Sequence, residues 1–281
     1  MSFKNNIFFL KAKDYSVSKE IFELHHNPEY DMLITFPRPS LENLSSYYES
    51  DDYISHTDGK RSLFEKAYHL VKGIALKNKL KLINNHSQKG KLLDIGAGTG
   101  DFLTVAKNNG WQTIGIEPSQ KAKQTAINKG VNFAESLADL ESNSFDVITM
   151  WHVLEHVPNL EEYITELKRL IKPSGTIVVA VPNFKSFDAE FYGRYWAAYD
   201  VPRHLWHFSK TAIQKLFAEK EMKLIEVLPM KFDSYYVSLL SEKYKTGRMN
   251  FVRAFFVGLK SNIDGKRNNE YSSHIYIIKN N

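Results

Sequence analysis

LLDIGAGTGDF, residues 92–102, decides the fold. Leu92, Leu93 and Ile95 form a short apolar run broken by Asp94, Gly96, Gly98 and Gly100 follow at alternate positions, and a helical pattern begins at Phe102. A buried strand, a glycine turn and a helix in that order open a β-α-β unit. Working outward, KLLDI (91–95), QTIGIE (112–117), VNFA (131–134), FDVITM (145–150), TIVVAV (176–181), KLIEVL (223–228) and HIYIIK (274–279) read as seven strands. Between them FLTVAKNNG, QKAKQTAINKG, LEEYITELKRLIKPSG and KTAIQKLFAEKE space apolar residues by three and four, and Gly110, Gly130 and Gly175 are placed to stop the first three helices. The expectation is a largely parallel sheet with helices on both faces.

Residues 1–85 do not share this rhythm. They show short mixed strands, a Pro-containing turn at 36–40, the aromatic stretch SSYYESDDYISH, and a helical run from Ser62 to Leu82, and they read as an N-terminal lobe. Residues 86–281 form the main domain, with insertions at 182–208 and 229–271 long enough to act as caps.

Composition narrows the function. A chain of 281 residues with 43% hydrophobic and 25% charged residues is a folded globular protein. It has no cysteine, which excludes thiolate zinc sites and cysteine nucleophiles and agrees with a reducing cytoplasm. The apolar run Ile7 to Leu10 is too short for a secretory leader, and no stretch approaches the roughly 20 apolar residues that cross a bilayer. Net charge is only +5, but residues 231–270 hold eight basic and four acidic side chains and so carry most of it.

Glycine turns at a strand end serve both dinucleotide and adenosyl cofactors. The dinucleotide pattern G-x-G-x-x-G asks for Gly or Ala at position 101, where this chain has Asp101, a poor neighbour for a pyrophosphate. S-adenosylmethionine has a sulfonium and an ammonium in place of phosphates, and it suits a turn that follows Asp94. Glu117 ends the second strand 23 residues after Asp94, the interval expected for a carboxylate that accepts hydrogen bonds from ribose hydroxyls.

With DIGAGTG (94–100), GIEPS (115–119), FDVITMWHVLEHVPN (145–159), LKRLIKPSGTIVVAVPN (167–183) and YWAAYDVPRHLWHFS (195–209) in place, the chain resembles class I S-adenosylmethionine-dependent methyltransferases. Within them it is similar to the bacterial group related to the ubiquinone-biosynthesis O-methyltransferases. The resemblance covers about 85–228. It implies a Rossmann-like α/β fold in which Asp94, Gly96, Ala97, Gly98 and Thr99 take the methionine part, Glu117 and Pro118 the ribose side, and Ser136 and Leu137 the adenine. It also implies that Met150, Trp151 and His152 line the pocket floor.

HVLEH (152–156) also matches H-x-x-E-H, a zinc peptidase pattern, but it follows a strand instead of lying within a helix, and the peptidase reading is set aside. In the ubiquinone-type enzymes the corresponding E-x-x-E-H can bind a divalent cation. Here His152 replaces the first carboxylate, so magnesium is disfavoured and no metal is expected. Some relatives carry a Cys-x-x-Cys knuckle where this chain has Asn27 and Tyr30, and His25 and His26 alone do not make a zinc site.

His156 and His204 are the candidate bases. Tyr199, Asp200 and Arg203, in the insertion after the fifth strand, are candidate acceptor contacts. Trp151-His152-Val153-Leu154 lacks the Pro-Pro motif of nucleic-acid amino-methyltransferases, so the expected acceptor is a small molecule, lipid or glycan precursor and no nucleic acid partner is expected. A catalytically silent cofactor-binding module and a nicotinamide oxidoreductase are the alternatives. Phe251, Val252, Phe255, Phe256 and Leu259 recur at helical spacing and predict an apolar helix face packed on the protein's own core or on a second subunit as a homodimer, with membrane-surface contact as the lesser reading.

Overall fold

The computed structural model of the chain describes residues 3–48 and 63–280. Residues 49–56 of the aromatic stretch expected to form a loop lie outside them. The elements, in order, are β1 (Ile7–Lys13), β2 (Ile21–Asn27), β3 (Met32–Phe36), α1 (Leu41–Leu44), α2 (Leu63–His86), β4 (Lys91–Ile95), α3 (Asp101–Asn108), β5 (Gln112–Ile116), α4 (Gln120–Ile127), β6 (Phe145–Trp151) and α5 (Leu160–Leu170). They continue with β7 (Ile171–Pro182), α6 (Phe187–Tyr192), β8 (Trp206–His207), α7 (Lys210–Ala218), β9 (Met222–Pro229), α8 (Asp233–Thr246), α9 (Phe251–Asn268) and β10 (Ser273–Asn280).

The large sheet has the order β5-β4-β6-β7-β10-β9. β5, β4, β6 and β7 run parallel, and β10 is antiparallel to both β7 and β9. This sheet has six strands, not seven. VNFA contributes a single bridge, Phe133 to Gly115, closed by Gly115 N–H to the Asn132 carbonyl and Ala134 N–H to the Gly115 carbonyl. Its remaining residues make no ladder, so it does not extend the sheet.

Alternation along each strand sorts side chains between two cores. Leu92, Val147, Val178 and Ile277 pack with Ile83 of α2, Phe102 and Leu103 of α3 and Ala126 of α4. Leu93, Ile148, Val179 and Ile278 face the other way, onto Ile164 and Leu167 of α5 and Leu216 and Phe217 of α7. A Cβ on Gly100 would stand 2.6 Å from Ala126 Cβ, so glycine is what lets α3 seat this closely on α4. α5 stops at Leu170, earlier than Gly175, because Ile171 already pairs with Phe145 as the start of β7.

A small antiparallel sheet, β1-β2-β3-β8, takes its last strand from the insertion after β7. At the turn after β2, Asn27 is fully buried and donates to the Lys4 carbonyl and Asn6 Oδ1, while its own Oδ1 accepts from Tyr30 N–H. His25 and His26 pair with Glu23 and Asp31. Side-chain hydrogen bonds close this turn. Among the described residues no helix is long and apolar enough to cross a membrane.

Candidate active site

β4 lies between β5 and β6, so the chain leaves the sheet centre in opposite directions at this strand and opens a crevice at its carboxyl end. The glycine turn fills that edge. Gly96 and Ala97 N–H both donate to the Ile116 carbonyl, at 2.8 and 3.1 Å. Gly98 adopts φ +53, and a Cβ built there would meet nothing within 4 Å. The turn therefore presents backbone to open space, where a ligand can approach. Glu117 sits behind it, with Oε2 accepting from Gly98 N–H at 2.8 Å and Oε1 from Ser119 N–H at 2.9 Å. Each oxygen keeps a lone pair for a hydroxyl donor.

Asp94 is 3% exposed and accepts from Thr149 Oγ1 at 2.5 Å. Burial pushes its carboxyl up to about 6, against the hydrogen bond from Thr149 and the charge of Lys79. Lys79, on α2, was not singled out by sequence. Its ammonium lies 4.2 Å from the Trp151 ring centre and is pulled down from its ordinary range by burial, while Asp94 and Asp233 act the other way. Trp151 Nε1 is buried and, among the described residues, has no hydrogen-bond partner. No sequence pattern marks Lys79, because it lies on a helix whose register against β4 is set only by folding.

Ser136 caps the one-turn helix Leu137–Asp139, holding the Asp139 carboxylate with its N–H and Oγ. The Leu137 carbonyl accepts from Arg169 Nη2 at 2.9 Å. Met150 is different from its neighbours: strand alternation turns its side chain into the core with Ile148, fully buried, so it does not present that side chain to a ligand. Asp101 is also turned away. It pairs with Lys129 and Lys72, each at 2.8 Å, and although burial opposes its charge, these partners and Thr99 hold it at about 2. The repulsion of a pyrophosphate expected from the sequence is thus largely neutralised on the spot.

Beyond β6 the chain turns sharply at His152, φ +58. His152 Nε2 lies 3.0 Å from Asp233 Oδ2, at the start of α8, and Nδ1 lies 3.3 Å from Glu155 Oε1. Burial opposes its charge, but Asp233 and then Glu155 prevail and raise it to about 10, so this imidazole is cationic. Val153 Cγ2 would be 2.4 Å from a Cβ on Gly96, which sets the following one-turn helix, Leu154–His156, directly against the glycine turn.

Glu155, His156 and His204 come together there, with one ligand atom from each within 4.8 Å of the others. Glu155 is 1% exposed and, among the described residues, its Oε2 has no partner. His156 Nδ1 faces the Arg203 carbonyl at 3.1 Å and the Tyr48 hydroxyl at 3.0 Å, and His204 Nδ1 faces the Ala198 carbonyl at 2.9 Å. Burial, aided by the charge of His204, lowers His156 to about 4 and keeps it neutral. The divalent cation of the ubiquinone-type motif can be tested against this set. One carboxylate and two imidazoles do not suit magnesium, which asks for oxygen ligands, and suit a zinc-like ion better.

The three candidate acceptor contacts sit deeper than their sequence suggests. Tyr199 is 3% exposed and packs edge-on against Trp196 and His207. Arg203, 1% exposed, binds Asp200 at 2.6 Å and Asp14 at 3.0 Å, and donates to the Tyr47 carbonyl. Asp14 lies 189 residues away, so this ion network could not be read from local sequence. It ties the insertion to the end of β1 and so fixes where His204 stands.

Residues 67–227, more than half of the chain, match the family described as a methyltransferase domain. The chain belongs to this family. As a member it is an S-adenosylmethionine-dependent methyltransferase, which sets aside the nicotinamide alternative. Ubiquinone biosynthesis O-methyltransferase of Pectobacterium atrosepticum is 27% identical over 173 residues, covering 56% of this methyltransferase and 70% of that protein. The protein of the same name from Rickettsia bellii is 27% identical over 199 residues, covering 66% and 82%. A methyltransferase of known structure from Archaeoglobus fulgidus shares the fold, with a TM-score of 0.51 at 20% identity over 77% of this chain and 98% of that one.

Proposed function

We propose that this methyltransferase transfers the methyl group to a hydroxyl of a small-molecule, lipid or glycan-precursor acceptor. Asp94, Gly96, Ala97, Gly98 and Thr99 receive the methionine part of the cofactor, Glu117 and Pro118 the ribose side, and Ser136 and Leu137 the adenine. Trp151 and His152 wall the far side, and the Trp151 indole N–H supplies a donor there. The observation that carries the acceptor reading is the neutral His156 beside His204 and the buried Glu155, all set against the glycine turn. The names of the two curated relatives, both O-methyltransferases, agree with it.

S-adenosylmethionine supplies an activated methyl group, so the protein has to align the acceptor, exclude water and accept one proton. The acceptor oxygen forms a bond to the methyl carbon, the carbon–sulfur bond breaks with its electrons passing to sulfur, and the hydroxyl proton goes to an imidazole of the His156–His204 pair. Glu155, whose Oε2 is free to accept, balances the new positive charge. Asp200 and Arg203 act by holding the insertion in place, and Tyr199 by packing beneath it. A zinc-like ion, where bound, would be held by Glu155, His156 and His204 and would acidify the hydroxyl; the proton relay itself calls on no ion.

The test is methyl transfer from labelled cofactor to a set of phenolic, polyprenyl and sugar hydroxyl acceptors. His156→Asn and His204→Asn should each lower kcat about a hundredfold, the scale of general-base catalysis, with cofactor affinity retained. Rates unchanged in both variants, or labelled product found only on nitrogen, would overturn the reading.

A further inference from the structure

The hairpin of α8 and α9 is packed opposite to the way its sequence predicts. The face of α9 that meets the protein is made of small residues: Ala254, Val257, Gly258, Ser261 and Gly265 are the buried ones. Gly258 explains the choice, because a Cβ there would come within 2.8 Å of the Tyr235 ring and 3.0 Å of the Ser234 carbonyl. α9 approaches α8 through Gly258, and the large apolar residues turn outward. Val252, Phe255, Phe256 and Ile263 are 68%, 53%, 62% and 46% exposed. Packing of this face against the protein's own core is thereby overturned.

Charge flanks the same face. Arg253, Lys260 and Arg267 recur every seven residues and form a stripe beside Phe256 and Ile263, and Lys245, Arg248 and Lys266 are exposed nearby. The acid that answers Arg253, Glu242, is fully buried and so is not presented outward. An apolar face edged by basic side chains matches the boundary of an anionic bilayer, where aromatic rings sit among acyl chains and long cations reach the headgroups. An antiparallel pairing of this face with a second copy would set the basic stripe against its own image and is disfavoured by repulsion.

We infer that the α8–α9 hairpin docks the enzyme on an anionic membrane surface by the Val252–Phe255–Phe256–Ile263 face, presenting the active site to acceptors held there. The hairpin reaches that site directly, since Asp233 opens α8 and grips His152. The inference deepens the lipid or glycan-precursor reading of the acceptor and rests on it only for the second half of its claim.

Flotation of the full chain with vesicles tests it, using phosphatidylcholine alone and an equal mixture with phosphatidylglycerol. The protein should float with the anionic vesicles only, and bound protein should fall about tenfold between low salt and about 0.5 M salt as screening sets in. Phe255→Ser/Phe256→Ser and Lys260→Glu/Arg267→Glu should each reduce flotation about tenfold while still binding S-adenosylhomocysteine by calorimetry, which shows that they fold. Absence of flotation, flotation indifferent to both variants, or a dimer in sedimentation that only the Phe variant dissolves would each overturn it. Flotation needs no turnover, so a failed acceptor assay and a failed docking assay are separate results.

Discussion

His152 Nε2 and Asp233 Oδ2 meet at 3.0 Å and fasten the helical hairpin to the carboxyl edge of the large sheet. Because His152 is raised from 6.5 to about 10 in the folded protein, the pair contributes its full stability below about 6.5 and loses it as pH climbs toward 10. Asp233→Asn should therefore cost about 1 kcal/mol near pH 6, allowing for the solvent that reaches both groups, and nothing above about pH 10. Thermal melts across that range check this; a constant difference at all pH values would show that the pair does not titrate as a unit.

Glu117→Ala should weaken S-adenosylhomocysteine binding by about 1.5–3 kcal/mol, the range for hydrogen bonds to a charged group. The Gly98 N–H loses its acceptor at the same time, so part of the loss reflects a looser turn. Calorimetry with circular dichroism as the folding control reads the effect, and no saturable heat should appear with NAD in either protein.

Cofactor affinity should fall as pH drops through about 6. There buried Asp94 takes up a proton and ceases to offer a negative charge to the cofactor ammonium. Asp94→Asn should bind weakly at every pH and show a flat profile between pH 5 and 8. A wild-type profile with no inflection in that interval would remove Asp94 from the cofactor site.

Methyl transfer should gain nothing from magnesium, given a donor set of one carboxylate and two imidazoles, and should persist within about twofold after EDTA treatment because the proton relay calls on no ion. Elemental analysis of the purified protein is the companion measurement. Stoichiometric zinc that disappears in Glu155→Gln would show that the cluster is a metal site and that the proton relay is incomplete without it.

The parallel sheet and the cofactor edge were legible because their signals are local: Gly96, Gly98 and Gly100 at fixed spacing, Glu117 at a strand end, and continuous apolar runs in β4, β6 and β7. VNFA misled because its composition suits a strand, while it makes only a single bridge, to Gly115. Arg203 and Asp200 read as acceptor contacts because Asp14, which pairs with the buried Arg203, lies 189 residues away. Hydrophobicity alone chose the wrong side of α9; Gly258 decided it by letting the α9 backbone approach that of α8 at Ser234 and Tyr235, and Gly265 by leaving room for the Tyr271 ring.

The pairing of Leu33 and Ile34 with His207 and Trp206 has a consequence for how the protein is made. On the ribosome, β3 emerges long before β8, and at roughly 5–20 residues per second the intervening chain takes on the order of 10 to 30 s to appear. Met32, Leu33 and Ile34, which end with at most 1% exposure, spend that time on an open strand edge. β3 is made well before β8, the strand that completes its sheet, so that edge is paired only once residues 206–207 have been made.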